Sequence, residues 1–130
     1  MDMDNEHKAL LHLKQMVAEF VSEREWEEFH TPKNLSINIA VEAAELMEIF
    51  LWCTTEASLD ILETRRADVE DEFADVLIGL VAFANAAQID IFKAFSHKLK
   101  KTKEKYPIEA VRGKSDKYTQ YMKLKKESKS

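Results

Sequence analysis

Four carboxylates stand out by type and spacing. Glu42 and Glu45 lie three residues apart in NLSINIAVEAAELMEIFLW, residues 34–52, a greasy stretch with no basic residue. Glu72 and Asp75 repeat that spacing, and Asp75 is the only charged residue from Phe73 to Ile89. At 3.6 residues per helical turn, positions three apart share a face. Asn38 extends the first stripe by a turn and Asp68 the second. A charged carboxylate in apolar surroundings is costly unless paired. The ordinary partner, a Lys or Arg three or four residues away, is missing around all four. The neutralising charge must come from elsewhere in the fold or from solution. Two pairs of hard oxygen donors suit Mg²⁺ or Mn²⁺. A di-iron carboxylate bundle competes, but it wants Glu-x-x-His on its ligand helices, and neither stretch carrying the four acids contains a histidine. The plainer alternative is that these acids face solvent or meet lysines of the C-terminal tail.

Helices must hold these stripes in place. Leu10, Leu13, Val17, Phe20 and Val21 have helical spacing, predicting a first helix over about 4–24. Pro32 should break it, and Asn34 or Ser36 should cap the next helix, about 35–53. A short helical segment follows, with Thr55 or Ser58 near its start. A third long helix covers about 68–88. A fourth opens with Asp90 as cap and stops at Pro107. Two glycines and two prolines are too few for sheets and long loops, so the fold class expected is all-α, a bundle of four main helices. The helices at 35–53 and 68–88 are apolar nearly all round rather than along one stripe. That predicts burial on several sides, hence helices that pack across subunits of a homo-oligomer.

The 130 residues suit one domain, over residues 1–110, followed by a basic, partly ordered tail over 111–130. The net charge of −5 conceals an asymmetry. Residues 1–92 hold 6 Lys+Arg against 20 Asp+Glu, and residues 93–130 hold 13 against 4. The single cysteine, Cys53, excludes an internal disulfide and a cysteine-based zinc site, and fits a reducing cytoplasm. The N-terminus lacks an apolar signal core, and no apolar run reaches membrane-spanning length. No membrane partner is expected. The tail lysines have few aromatics among them before Tyr118 and Tyr121, so nucleic acid is a poor candidate partner.

EAAE at 42–45 and EFAD at 72–75, with 26 residues between, resemble the ExxE…ExxD pattern of the MazG-like all-α nucleoside triphosphate pyrophosphohydrolases. WEEFHTPKNL, EIFLW, DVLIGLVAFANAAQIDI, and KYP followed by SDKYT carry the likeness toward the dCTP-hydrolysing branch, over about residues 26–118. The resemblance implies a helical bundle that assembles as a dimer or a dimer of dimers, with sites at subunit contacts. It implies Mg²⁺ on Glu42, Glu45, Glu72 and Asp75, and water attack on the α-phosphorus of a nucleoside triphosphate, giving monophosphate and pyrophosphate. Which carboxylate orients the water stays open; Glu45 is the favoured choice. The resemblance also implies base recognition by Trp26, Phe29, His30 and Trp52. Lys98, Lys105 and Tyr106 match positions near the phosphates or the metal-helix ends, and Lys33 is a further candidate for phosphate contact.

Two positions depart from the branch. Gly79 stands where an aromatic is common, and Thr102 where Asn is common. Both shrink side chains near the expected pocket, which predicts a roomier site and acceptance of a second substrate beside dCTP, such as dATP or a base-modified dCTP. The rival to an enzyme is a non-catalytic helical protein that binds nucleotide, nucleic acid or another protein. Four intact carboxylates count against it.

Overall fold

The structure, a computed structural model, describes residues 3–114, and all regular structure among them is helical. The first helix, α1, runs Met3–Glu23 with Asp4 and Glu6 in its first turn, where acids suit the positive end of the helix dipole. It ends without glycine. Glu25 adopts φ 53°, and its N–H and that of Trp26 donate to the Ser22 and Val21 carbonyls at 3.0 and 3.1 Å. This left-handed closure satisfies the last carbonyls and turns the chain sharply. A 3-10 turn, Glu27–Phe29, follows at once.

The next helix, α2, spans Pro32–Phe50, and its N-cap differs from expectation. Thr31, not Asn34 or Ser36, caps it, its Oγ1 accepting the Asn34 N–H at 3.2 Å. Pro32 does not merely break the preceding element. It occupies the first turn, where the missing N–H costs nothing and the fixed φ suits a helix. Asn34 Nδ2 instead donates to the Phe29 carbonyl at 3.0 Å, and Ser36 Oγ donates to the Lys33 carbonyl at 2.8 Å.

The short α3, Ser58–Thr64, begins at Ser58, as expected. Thr54 Oγ1 accepts the Ala57 N–H at 3.2 Å, and Ser58 Oγ donates to the Thr55 carbonyl at 2.6 Å. The longest helix, α4, spans Arg66–Ala87. Gln88 closes it at φ 55°, ψ 43°, the second left-handed closure at a residue other than glycine among the described residues, and the Ile89 N–H donates back to the Ala84 carbonyl at 2.9 Å.

Two compact units divide the chain, Met1–Asp90 and Ile91–Ser130. In the first, α2 lies along α4, α1 also packs on α4, and α3 touches both α2 and α4. Val21, Leu35, Val81, Ala82 and Ala84 form its buried apolar core. Lys14 Nζ donates to the Ile89 carbonyl at 2.8 Å and Asn85 Nδ2 to the Lys14 carbonyl at 2.9 Å, pinning α1 to the end of α4. Large side chains remain open along α2 and α4, among them Ile37, Val41, Met47, Phe73 and Leu80. In the second unit α5 spans Ile91–Lys105, and the short α6 spans Ile108–Val111 with Pro107 at its N-cap. The helix thus stops two residues before Pro107, because the residue ahead of a proline is pushed out of the helical region. Most of the expected tail over 111–130 lies outside the described residues. No single helix among the described residues is long and apolar enough to cross a membrane.

Candidate metal centre

Helix α2 brings Glu42 and Glu45 to one face, and α4 brings Glu72 and Asp75 to the face opposite. One oxygen from each of the four carboxylates lies within 4.8 Å of the others. The ion pairs Arg24–Glu23, Arg65–Asp68 and Arg66–Glu70 involve none of the four. Asp68, on the same stripe one turn earlier, is bound by Arg65 at 2.9 Å and stands outside the cluster. The Glu-x-x-His spacing does occur once, at Glu27 and His30, but these residues fall in and just after the 3-10 turn and are not among the clustered ligands.

Four like charges in so small a space must be relieved. The carboxyl of Glu42 is raised above the usual carboxylate range, first by withdrawal from water, then by sharing a proton with Glu45 and by the negative charges of Glu45, Asp75 and Glu72. Glu72 is raised likewise, first by withdrawal from water and then by Glu45 and Asp75. Withdrawal is local: both residues are only half-buried, yet Glu42 Oε2 and Glu72 Oε2 are covered and have no hydrogen-bond partner. A covered, unpartnered carboxylate oxygen is an expensive thing to leave in a fold. Two of them within an all-oxygen donor set fit a hard divalent cation, whose ligands are such oxygens.

A cavity of about 400 Å³ adjoins the cluster. Glu42 and Asp75 line it, with Asn38 and Gly79 one turn farther along their helices and Trp26, Phe29 and His30 from the segment ahead of α2. Phe20, Asn34, Leu35, Ile78 and Ala82 complete the wall. Phe20 meets Trp26 edge-on, with ring centroids 5.7 Å apart, and the Arg24 guanidinium lies 3.9 Å above the Phe20 ring. Of the residues expected at a site, seven therefore meet at one cavity in the first unit: Trp26, Phe29, His30, Asn38, Glu42, Asp75 and Gly79. Glu45 and Glu72 join through the carboxylate cluster. Lys33, exposed in the first turn of α2, and Trp52, 92% exposed beyond its end, do not line this cavity. Lys98, Thr102, Lys105 and Tyr106 belong to the second unit. There Thr102 Oγ1 donates to the Lys98 carbonyl at 3.0 Å, and Lys105 Nζ lies 5.8 Å from the Tyr106 ring centre.

Phe20 and Asn34 escaped sequence reasoning for different reasons. Phe20 has core spacing on α1, and Asn34 reads as a cap. A signal for both was their place beside the aromatic segment 26–30.

At Gly79 the geometry adds the neighbouring helix to the sequence reading. A Cβ there would lie 3.2 Å from Ile39 Cγ1, 3.5 Å from Asn38 Nδ2 and 3.9 Å from Ile39 Cα. The missing side chain would start against α2 rather than in open space. Gly79 is thus a point of close helix approach as well as part of the cavity wall.

The family model for the MazG-like family matches residues 37–121. The chain belongs to the MazG-like family. Among curated relatives, mouse dCTP pyrophosphatase 1 is 38% identical over 109 residues, which is 82% of this chain and 64% of that protein. Human dCTP pyrophosphatase 1 is 38% identical over 110 residues, 83% of this chain and 65% of that protein. The chain therefore spans just under two-thirds of the length of these relatives. A crystal structure of a pyrophosphatase from Archaeoglobus fulgidus superposes with a TM-score of 0.73 at 40% identity, covering 76% of this chain and 93% of the archaeal one.

Proposed function

We propose that this MazG-like chain is a nucleoside triphosphate pyrophosphohydrolase that converts dCTP, and at least one further deoxynucleotide, to the monophosphate and pyrophosphate, a role in cleansing the nucleotide pool. The observation that carries this reading is the joining of an unneutralised four-carboxylate cluster to an aromatic-lined cavity of about 400 Å³. The names of the mouse, human and archaeal relatives support the reaction class.

Glu42, Glu45, Glu72 and Asp75 would hold Mg²⁺, or Mn²⁺, through their oxygens. A divalent ion there supplies charge neutralisation between carboxylates and triphosphate and lowers the pKa of bound water. The chain's own groups do the rest. Glu45, more exposed than Glu42 and Glu72, is the choice for orienting the attacking water and accepting its proton. Trp26 and Phe29 offer ring faces to the base, and His30 and Asn38 offer polar atoms along the same wall. On α2 the rise from Leu35 to Glu42 is about 10 Å at 1.5 Å per residue, so base and phosphates can be held at opposite ends of one groove. Lys33, Trp52, Lys98, Thr102, Lys105 and Tyr106 remain candidates for contact with the phosphates, sugar or base.

The working form is a homo-oligomer, a dimer or a dimer of dimers. Its support is the open apolar surface on α2 and α4, larger than a lone chain ordinarily leaves in water. One bundle domain over 1–110 with a basic extension is the organisation proposed, and the cytoplasm the compartment. Pyrophosphate release from the four deoxynucleotides, with and without Mg²⁺, tests the activity. Release that needs Mg²⁺ is expected. No release from any of them under either condition would refute the reading.

A further inference from the structure

Asn34 is bound by its backbone to one structural task and by its side chain to another. Its N–H completes the Thr31 cap of α2, at 3.2 Å. Its Nδ2 donates to the Phe29 carbonyl at 3.0 Å, across five residues, from the helix that carries Glu42 and Glu45 back to the turn that carries Phe29. Asn34 also lines the cavity, together with Phe29, His30 and Trp26. An amide has one plane. With Nδ2 held by Phe29, the orientation of the group is set, and Oδ1 is the remaining polar atom. No hydrogen bond to Oδ1 is formed among the described residues, so an acceptor in fixed orientation stands at the wall that carries the aromatic rings.

We propose that Asn34 determines base specificity: its Oδ1 accepts a hydrogen bond from the exocyclic amino group of a nucleobase stacked on the aromatic turn. The inference rests on the nucleotide reading of the cavity. It selects bases with an amino group at cytosine C4 or adenine C6 over uracil, thymine and guanine, which present a keto oxygen at the corresponding place, where two acceptors would face each other. It also supplies a discrimination that does not depend on pocket volume, which matters because Gly79 abuts α2.

The closest pair of probes is dCTP and dUTP, which differ at position 4, amino against keto, and in the proton that uracil carries on N3. Non-hydrolysable α,β-imido-dCTP and α,β-imido-dUTP, titrated calorimetrically in the presence of Mg²⁺, read binding apart from catalysis. The unmodified protein should prefer the cytosine compound by about tenfold, the scale of one hydrogen bond exchanged for a mismatch. Asn34→Ala should bring the two affinities to within about twofold. Asn34→Asp keeps an acceptor oxygen but gives up the bond to Phe29, and suits the first turn of a helix. It should retain the cytosine preference even if both affinities fall. Thermal melting of each variant checks that it is folded. Equal loss of preference in Asn34→Ala and Asn34→Asp would mean that the amide only holds the turn, and would overturn the proposal. So would a preference unchanged in Asn34→Ala, or no preference in the unmodified protein. Binding with preference but no turnover of dCTP would refute the proposed reaction while leaving the role of Asn34 standing.

Discussion

Helix α4 carries two acidic regions that the fold treats in opposite ways. Near its start Asp68 meets Arg65 at 2.9 Å and Glu70 meets Arg66 at 3.5 Å, all with side chains open to solvent. One turn farther on, Glu72 and Asp75 meet two more acids from α2 and no cation among the described residues. The residue types are the same, and what differs is the company. Acids beside arginines need nothing more. Acids gathered against acids, with Glu42 Oε2 and Glu72 Oε2 covered and unpartnered, hold or take up protons more readily and offer oxygens that fit a cation from solution. Charge count alone does not make a site; the lack of an internal remedy does.

The comparison breaks most visibly at the four clustered carboxylates themselves. Asp75→Asn or Glu45→Gln should lower Mg²⁺-dependent turnover by at least about a hundredfold, since losing even an outer partner of a metal ligand costs 10–100-fold. Helical content by circular dichroism should not change. Turnover within about twofold of the unmodified protein would place the metal elsewhere.

A second effect is thermodynamic. Glu42 and Glu72 both titrate above their ordinary value, chiefly through withdrawal from water and then through their acidic neighbours. A raised carboxyl favours the folded state fully below its unfolded pKa, about 4.3. That contribution is lost as pH rises through the folded value. The metal-free protein should therefore lose melting temperature as pH climbs above about 4.3, relative to Glu72→Gln, which has no such charge to bury. Mg²⁺ should remove the difference at neutral pH by stabilising only the unmodified protein. Parallel melting curves for the two proteins across that range, in chelator, would contradict the repulsion.

How much of this was legible beforehand depends on which physics sets each feature. The carboxylate stripes were readable because i, i+3 spacing on an apolar helix is purely local, and so were the α2 and α4 helices that carry them. The caps were not. Thr31, Asn34 and Ser36 are all good capping types within six residues, and only the path of the preceding turn decides that Thr31 is at the boundary. The ends of α1 and α4 were placed to within a residue, but not how they close: Glu25 and Gln88 each take a left-handed conformation that usually announces itself through glycine. At Gly79 the stripe position says which face the residue shares, and the structure adds how near the facing helix comes.

That nearness gives the third prediction. Gly79→Tyr must place a Cβ 3.2 Å from Ile39 Cγ1 and a ring beyond it. Separating α2 from α4 should cost about 1–3 kcal/mol, as overpacking usually does. It should also disturb both halves of the carboxylate cluster together, since each helix carries one pair. Urea denaturation measures the first and Mn²⁺ affinity the second. A stable variant with a narrower substrate range and unchanged metal affinity would restore the simpler picture, in which Gly79 only makes room.

The smallest effect is expected where the acids already have partners. Asp68→Asn removes the Arg65 pair, whose two side chains are 51% and 57% exposed. An exposed pair of this kind is worth roughly 0–1 kcal/mol. Loss of a negative charge near the start of α4 adds a few tenths, about 0.3–1 kcal/mol, in the same direction. Melting temperature should fall slightly, and high salt should shrink the difference between the two proteins because exposed charges are screened. Turnover and its Mg²⁺ dependence should stay as they are, because Asp68 is held away from the cluster by Arg65. If Asp68→Asn instead weakened metal binding as strongly as Asp75→Asn, the boundary drawn along α4 between paired and unpaired acids would be in the wrong place, and the site would extend a full turn toward the N-terminus of the helix.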